Sequence, residues 1–367
     1  MSLSKSFSVL RPHIDEATTT ALARLLARAG ATPRSAAFSE AVVSSAEGGK
    51  RFRALMAHVG WSLSSGRPLS EAHLPHLAAA LELYQASALV HDDIIDKADE
   101  RRGMPTPHRT LAHHHASSSW IGSSTDFGRH AAILVGDFLF SAATAAADEQ
   151  ALTLRQDCAR AFARRFADMH AEVALGQYLD ITAEQSPLDP QRTDALSTSD
   201  SLEVALHKSA RYSVVHPAIL GAICGAPSID GVAELLNVLE TILTPWGLAF
   251  QLRDDDLGVF GDPAVTGKPA GDDLREGKRT ALLALTWEAS SPAERRALTD
   301  VLGVTEASAE QIATATEIVE RNGRAAHEAE IARLVADGHA ALDASSFTDD
   351  ARAMLRELCS ILTARRA

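Results

Sequence analysis

The run Leu89-Val90-His91-Asp92-Asp93-Ile94-Ile95-Asp96 closes an apolar helical stretch with three carboxylates. Asp92 and Asp96 stand four apart and share a helix face, with Asp93 about 100° around. Like charges at that spacing weaken an exposed helix by a few tenths of a kcal/mol per pair, and by more when desolvated, so the pattern calls for a bound cation. Donors that are all oxygen, with no His or Cys, favour Mg2+, which keeps several waters and joins one or two carboxylates to a substrate phosphate. A solvated acidic helix end would account for one such cluster alone. The pattern returns, however, at Phe250-Gln251-Leu252-Arg253-Asp254-Asp255-Asp256-Leu257-Gly258, again behind an apolar helix, and two such clusters can face each other across a cavity. Basic residues stand where a metal-bound polyphosphate needs them: Gly48-Gly49-Lys50-Arg51-Phe52-Arg53, Arg101-Arg102-Gly103, Lys208, Gly267-Lys268 and Gly277-Lys278-Arg279. Each alone reads as surface charge; together they describe an anion site with a metal side and a cation side.

These residues are carried by helices. Apolar positions recur at helical spacing almost throughout, as in Leu74, Leu77, Leu81, Gln85, Ala88 and in Ile331, Leu334, Val335, Ala341, Leu342, and no period-2 alternation competes. The chain is 46% hydrophobic, chiefly Ala and Leu, and only 5% aromatic, which favours helix over strand. The fold class is therefore all-α. Breaks fall at Ser64 to Pro68, His113 to Ser124, Ser186 to Ser201, Gly225 to Asp230 and Gly261 to Gly277, and none is long or biased enough to be a clear interdomain linker. With no internal repeat, the economical reading of residues 1–367 is one domain, a single bundle of ten or more helices, with an N-terminal helical arm over 1–30 and the motifs within about 45–285. His113-His114-His115 cannot all face one ion from a regular helix, and reads as a flexible polar loop.

Composition also excludes. A formal charge of -13, with acidic residues outnumbering basic ones 48 to 35, argues against a nucleic-acid or anionic-membrane surface. Cys158, Cys224 and Cys359 are too few and too scattered for a disulfide framework, so three free thiols are expected. The N-terminus carries no signal-peptide pattern and no stretch approaches the roughly 18–20 apolar residues of a membrane span, so a soluble, cytoplasmic protein is expected.

From Gly48 to Thr280 the sequence resembles the trans-isoprenyl diphosphate (polyprenyl) synthases, with weaker agreement to the C-terminus, and within them is most similar to geranylgeranyl diphosphate synthases. Gly48 to Arg53 resembles the family's GGKRxR; Asp92 to Asp96 with Arg101-Arg102-Gly103-Met104-Pro105-Thr106 resembles DDxxD(x)4RRGxPT. Gly176-Gln177-Tyr178-Leu179-Asp180 resembles GQxxD, Lys208-Ser209 stands where KT or KS is usual, and Phe250 to Asp255 begins the second Asp-rich motif. Gly267-Lys268-Pro269 and Asp272 to Thr280 complete the series in the expected order.

The resemblance implies an isoprenoid-synthase helical bundle with a central active-site cavity, joining isopentenyl diphosphate head-to-tail to an allylic diphosphate. It implies that Asp92, Asp96 and Asp254 hold three Mg2+ ions on the allylic diphosphate, with Asp93 and Asp255 as outer or alternate ligands. Arg101, Lys208, Lys268 and Lys278 take its remaining oxygens, supported by Gln177 and Asp180. Lys50, Arg53 and Arg102 hold the isopentenyl diphosphate, with Gln85 where many members have His. The departing diphosphate removes the final proton itself. Members making C15 products usually carry an aromatic residue four or five positions before the first Asp; here those are Ala88 and Ser87, and Tyr84 is the first large side chain one turn deeper, which favours C20. A homodimer is the family's usual state.

One departure stands out: the fifth position of the second motif, usually Asp, is Gly258. Asp256 lies about 200° around the helix from Asp254 and cannot replace it, whereas Asp272 and Asp273 are near enough to bind metal-linked water. If turnover were absent, Gly258 would be the first residue to restore to Asp. Two other readings compete. A class I terpene cyclase would need no second diphosphate site and is opposed by GGKRxR and by the low aromatic content; a non-catalytic partner subunit would usually have lost an Asp-rich motif outright.

Overall fold

The structure, a computed structural model, describes residues 3–261, 271–304 and 306–363. It is all-α and 81% helical. The described residues hold one two-stranded hairpin, β1 (Glu100–Arg101) against β2 (Met104–Pro105). The chain groups into two compact units, Met1–Phe166 with Pro217–Ala233, and Ala167–His216 with Glu234–Ala367.

In the first unit α1 (Leu3–Arg28), α2 (Ala36–Ala46), α3 (Phe52–Ser65) and α6 (Ser124–Leu152) pack around α4 (Pro75–Ile95). Pro75 starts α4 with a φ already helical. Leu77, Ala78, Ala79, Leu81 and Leu83, all buried, cover every side of it, as a helix surrounded by neighbours requires. Its polar end, Asp92 to Asp96, follows that apolar stretch, with Asp93 still buried. The helix α9 (His216–Gly225) touches α3 backbone to backbone: a Cβ on Gly60 would lie 1.8 Å from the Ala218 carbonyl oxygen, and one on Gly221 would lie 1.8 Å from that of Ala57.

Two sequence expectations change here. The His113–His115 stretch is not a loop but part of α5 (Pro107–Ser117), which Pro107 starts. His115 is buried, its Nε2 3.1 Å from the Ile121 carbonyl and its ring 5.0 Å from that of Phe127, so packing outweighs polar composition. Secondly, α6 comes closer to a membrane-spanning pattern than expected: it reaches a mean hydropathy of 1.4 over 18 residues, of which 44% are buried. Its Ala-rich face packs on α4 and α5, the mark of a core helix.

The second unit holds the later part of α7 (Gln156–Gln185), α8 (Thr198–Ala205), a π-helical segment (Leu206–Val215) and most of α10 (Ile229–Phe260). It continues through α11 (Asp272–Glu276), α12 (Ala281–Ala289), α13 (Pro292–Thr299), α14 (Ala309–Asn322), α15 (Arg324–Ala344) and α16 (Asp349–Thr363). Side-chain capping boxes at Ser291/Glu294 and Ser308/Gln311 start α13 and α14. Trp246, Leu239, Leu252 and Trp287 are fully buried in this unit. All three cysteines are free thiols.

Candidate active site

The C-terminal turn of α4 separates its three carboxylates. Asp93, only 2% exposed, accepts from Arg101 Nε at 2.6 Å, and the same guanidinium reaches Asp92 at 3.4 Å. Asp92 and Asp96 remain half-buried, one helical turn apart. Arg102 and Gly103, with φ of 55° and 73°, form the left-handed pair of a tight hairpin turn between β1 and β2. That turn sends consecutive arginines to different motifs. Arg101 goes to the acidic cluster; Arg102 lies against the loop before α3, where a Cβ on Gly49 would be 3.3 Å from its Nη2. Gly48 and Gly49 both have positive φ, so glycine answers both the turn and the approach. Lys50, exposed, and Arg53, half-buried, flank this contact. Burial first, then the nearby Arg101 and Arg51, lowers the Arg102 pKa, the setting of a cation cluster that an anion would relieve.

Arg51, in the same motif, turns inward instead. It donates to Asp15 at 2.6 Å and to the Ala46 carbonyl at 3.0 Å, and lies 3.7 Å from Glu82. Glu82 also accepts from the Ala54 N–H at 3.1 Å, placing a carboxylate at the N-terminus of α3. Sequence reasoning passed over Glu82, although a lone acid inside Leu81-Glu82-Leu83 is a signal.

In the second unit, Asp254, Asp255 and Asp256 lie in the last two turns of α10. Asp256 is buried and taken by Arg324 at 3.1 Å, as its position around the helix implied. Asp255 is buried too and accepts from Gln251 at 2.8 Å. Burial, then the charges of Asp273 and Asp254, push its carboxyl up to about 8, against the opposing pull of Gln251 and Lys278. The place left by the missing fifth carboxylate is filled: a Cβ on Gly258 would lie 2.0 Å from Asp273 Oδ2. Lys278 joins this cluster, 2.5 Å from Glu276 and 4.0 Å from Asp273. Lys268 lies outside the described residues.

Lys208 sits in the π-helical segment and donates to Asp180 on α7 at 2.5 Å. Gly176 permits that approach, since a Cβ there would be 2.3 Å from the Lys208 backbone nitrogen. Gln177 is half-buried on the same stretch of helix.

Among the described residues no group of three or more His, Cys, Asp or Glu side chains forms a ready-made metal cage. Asp92 with Asp96, and Asp254 with Asp273, whose charges both act on Asp255, instead offer few oxygen donors each. Such a set suits Mg2+, which retains waters and takes its other ligands from a phosphate. A cavity of about 560 Å³ between α1, His58 and the start of α4 is lined by none of these residues.

A profile of polyprenyl synthetases matches residues 35–319. The chain belongs to the polyprenyl synthetase family. It is 31% identical over 307 residues to a geranylfarnesyl diphosphate synthase of Aeropyrum pernix, covering 82% of this chain and 86% of that one. It is 30% identical over 338 residues to a (2E,6E)-farnesyl diphosphate synthase of Mycobacterium tuberculosis, covering 84% and 85%. The solved structure of a geranylgeranyl pyrophosphate synthase from Corynebacterium glutamicum, complexed with isoprenyl diphosphate and magnesium, superposes with a TM-score of 0.82 at 36% identity, over 96% of this chain and 99% of that one. The protein is thus a prenyltransferase, a trans-prenyl diphosphate synthase.

Tyr84 is buried and meets Phe140 edge-on at 5.9 Å between ring centres. Ser87 is buried against α6, donating to the Gly136 carbonyl at 2.8 Å, whereas Ala88 is half-buried on the next face of α4. Gln85, also half-buried, precedes them.

A further group was not anticipated. Glu172 on α7 accepts from His207 at 2.7 Å, from Arg211 at 2.7 Å and from His216 at 2.6 Å, and Arg211 also reaches Glu240 at 2.6 Å. Burial disfavours the Glu172 charge, yet the bonds from His216 and His207 and the charge of Arg211 hold its carboxyl at about 2. Its only sequence signal is the helical spacing Glu172, Gly176, Asp180.

Proposed function

We propose that this synthase condenses isopentenyl diphosphate with allylic diphosphates to make mainly geranylgeranyl diphosphate, C20, using Mg2+. The observation carrying the two-substrate reading is Arg102 laid on the Gly48–Gly49 loop beside Lys50 and Arg53, a cation group distinct from the carboxylates of Asp92 and Asp96. A cyclase, with one diphosphate to hold, has no use for it.

In this reading Asp92, Asp96 and Asp254 bind metal, with Asp93 and Asp255 behind them. Bound Mg2+ supplies charge neutralisation for the allylic diphosphate as it leaves. Arg101, Lys208, Lys268 and Lys278 hold its other oxygens, with Gln177 and Asp180 fixing that side. Lys50, Arg53, Gln85 and Arg102 hold isopentenyl diphosphate, which keeps its diphosphate and so needs cations without metal. The double bond of isopentenyl diphosphate attacks the allylic carbon, and the departed diphosphate takes the proton, so no side-chain base is required. The small Ser87 and Ala88 above a buried Tyr84 support C20; the relatives' names span C15, C20 and C25. We also propose a homodimer and a cytoplasmic site of action.

The test is incubation with Mg2+, isopentenyl diphosphate and each of dimethylallyl, geranyl and farnesyl diphosphate, then mass analysis of the dephosphorylated alcohols. A dominant C20 alcohol is expected; a dominant C15, or C25 and longer, overturns the length assignment. No elongation with any primer overturns the catalytic reading in favour of a partner subunit. Asp92→Ala should lose turnover by several orders of magnitude while remaining folded, and near-normal rates would remove the metal assignment.

A further inference from the structure

Three positions on α7, Glu172, Gly176 and Asp180, stand four apart and meet one partner, the π-helical segment Leu206–Val215 with the residue that follows it. Asp180 takes the Lys208 ammonium. Gly176 lets the Lys208 backbone lie against α7. Glu172 gathers His207, Arg211 and His216, all three within 2.7 Å. A π-helix is rare and needs a reason to persist where an α-helix would form.

The spacing of the three donors supplies one. At about 100° per residue, an α-helix would put His207 and His216 on opposite sides, nine residues apart. The wider π turn, about 80° per residue, brings both back to the side of Arg211. One carboxylate can therefore hold all three only in the wide register. The same register sets the direction of Lys208, which is one residue from His207 and within the segment.

We propose that Glu172 is a positioning residue: by binding His207, Arg211 and His216 together it holds Leu206–Val215 in the π form and so aims Lys208 at the allylic diphosphate. This rests on the assignment of Lys208 to that diphosphate. Glu172 itself touches neither substrate.

The experiment is a double-mutant cycle of Glu172→Gln and Lys208→Ala in the full chain, reading kcat, the KM of each substrate and Tm. Glu172→Gln is expected to raise the allylic KM about tenfold or more while leaving the isopentenyl diphosphate KM within about twofold. In the Lys208→Ala background the same change should add less than about twofold, because the group it aims is gone. Equal effects on both substrates, or full additivity with Lys208→Ala, would overturn the proposal and leave Glu172 merely structural. If Lys208→Ala leaves the allylic KM unchanged in an active enzyme, the underlying assignment of Lys208 fails instead, and the proposal with it. Should Glu172→Gln not fold, His207→Ala removes one donor of the three at a partly exposed position. It should show the same allylic-only pattern at about threefold, and an unchanged allylic KM would overturn the proposal.

Discussion

Gly258 and Asp273 show how a single atom's worth of space decides what a residue can do. With Asp273 Oδ2 2.0 Å from where a Cβ at 258 would stand, glycine at 258 and a carboxylate arriving from 273 are one steric fact. Restoring Asp at 258, the natural repair from the motif, therefore adds a charge where one already sits. Gly258→Asp is expected to push Asp273 aside, lower Tm by several degrees and weaken Mn2+ binding measured by calorimetry. Tighter binding would show that Asp273 does not fill the vacant place. Asp255 offers a pH test beside it. Its carboxyl is held at about 8 against an ordinary 3.8, so the fold favours the protonated form. Its contribution is then full below about 3.8 and lost as pH rises through about 8. In metal-free protein, Asp255→Asn should gain Tm relative to wild type as pH rises from 4 to 9; a constant difference would mean that Asp255 ionises freely.

Between elements, backbone approach matters more than propensity. Gly60 on α3 and Gly221 on α9 each lie against a carbonyl of the other helix, and a methyl at either would need the helices to part. Gly60→Ala should destabilise by about 1–3 kcal/mol despite its better helix propensity, seen as a shifted urea midpoint with the slope unchanged. A stabilised variant would refute the close contact. Both glycines lie in helices that a propensity reading weakens at those points, and only the neighbouring helix explains them. The opposite error occurred at α5, where three histidines suggested a loop; His115 is held by Trp120 and Phe127, residues outside the helix whose packing no local composition reports. The acidic ends of α4 and α10 were legible because carboxylates behind an apolar helical stretch are a local pattern. Glu172 was not, since its three donors lie 35 to 44 residues along the chain.

At the scale of the whole molecule, α6 exposes apolar side chains on the side away from α4: Ile133 is 43% exposed and Leu134 58%. A second copy of the chain covering that face would complete the core that α6 begins, as expected for a homodimer. Leu134→Arg should convert the proposed dimer to monomer in light scattering; an unchanged dimer mass would place the contact elsewhere, and a monomeric wild type would overturn the dimer itself. Helix class and the order of the motifs followed from the sequence, because helical spacing and motif order are properties of neighbours along the chain; the two-substrate chemistry came with the family resemblance those motifs carry, and an oxygen-ligated metal is what the paired carboxylates led one to expect. The tertiary structure alone decided that Asp93 belongs to Arg101, that Arg51 turns inward to Asp15 and Glu82, that Asp273 fills the space at Gly258, and that one glutamate gathers the π segment carrying Lys208. Those outcomes depend on how closely separate segments pack, and packing distance is set by the whole fold rather than by any local pattern.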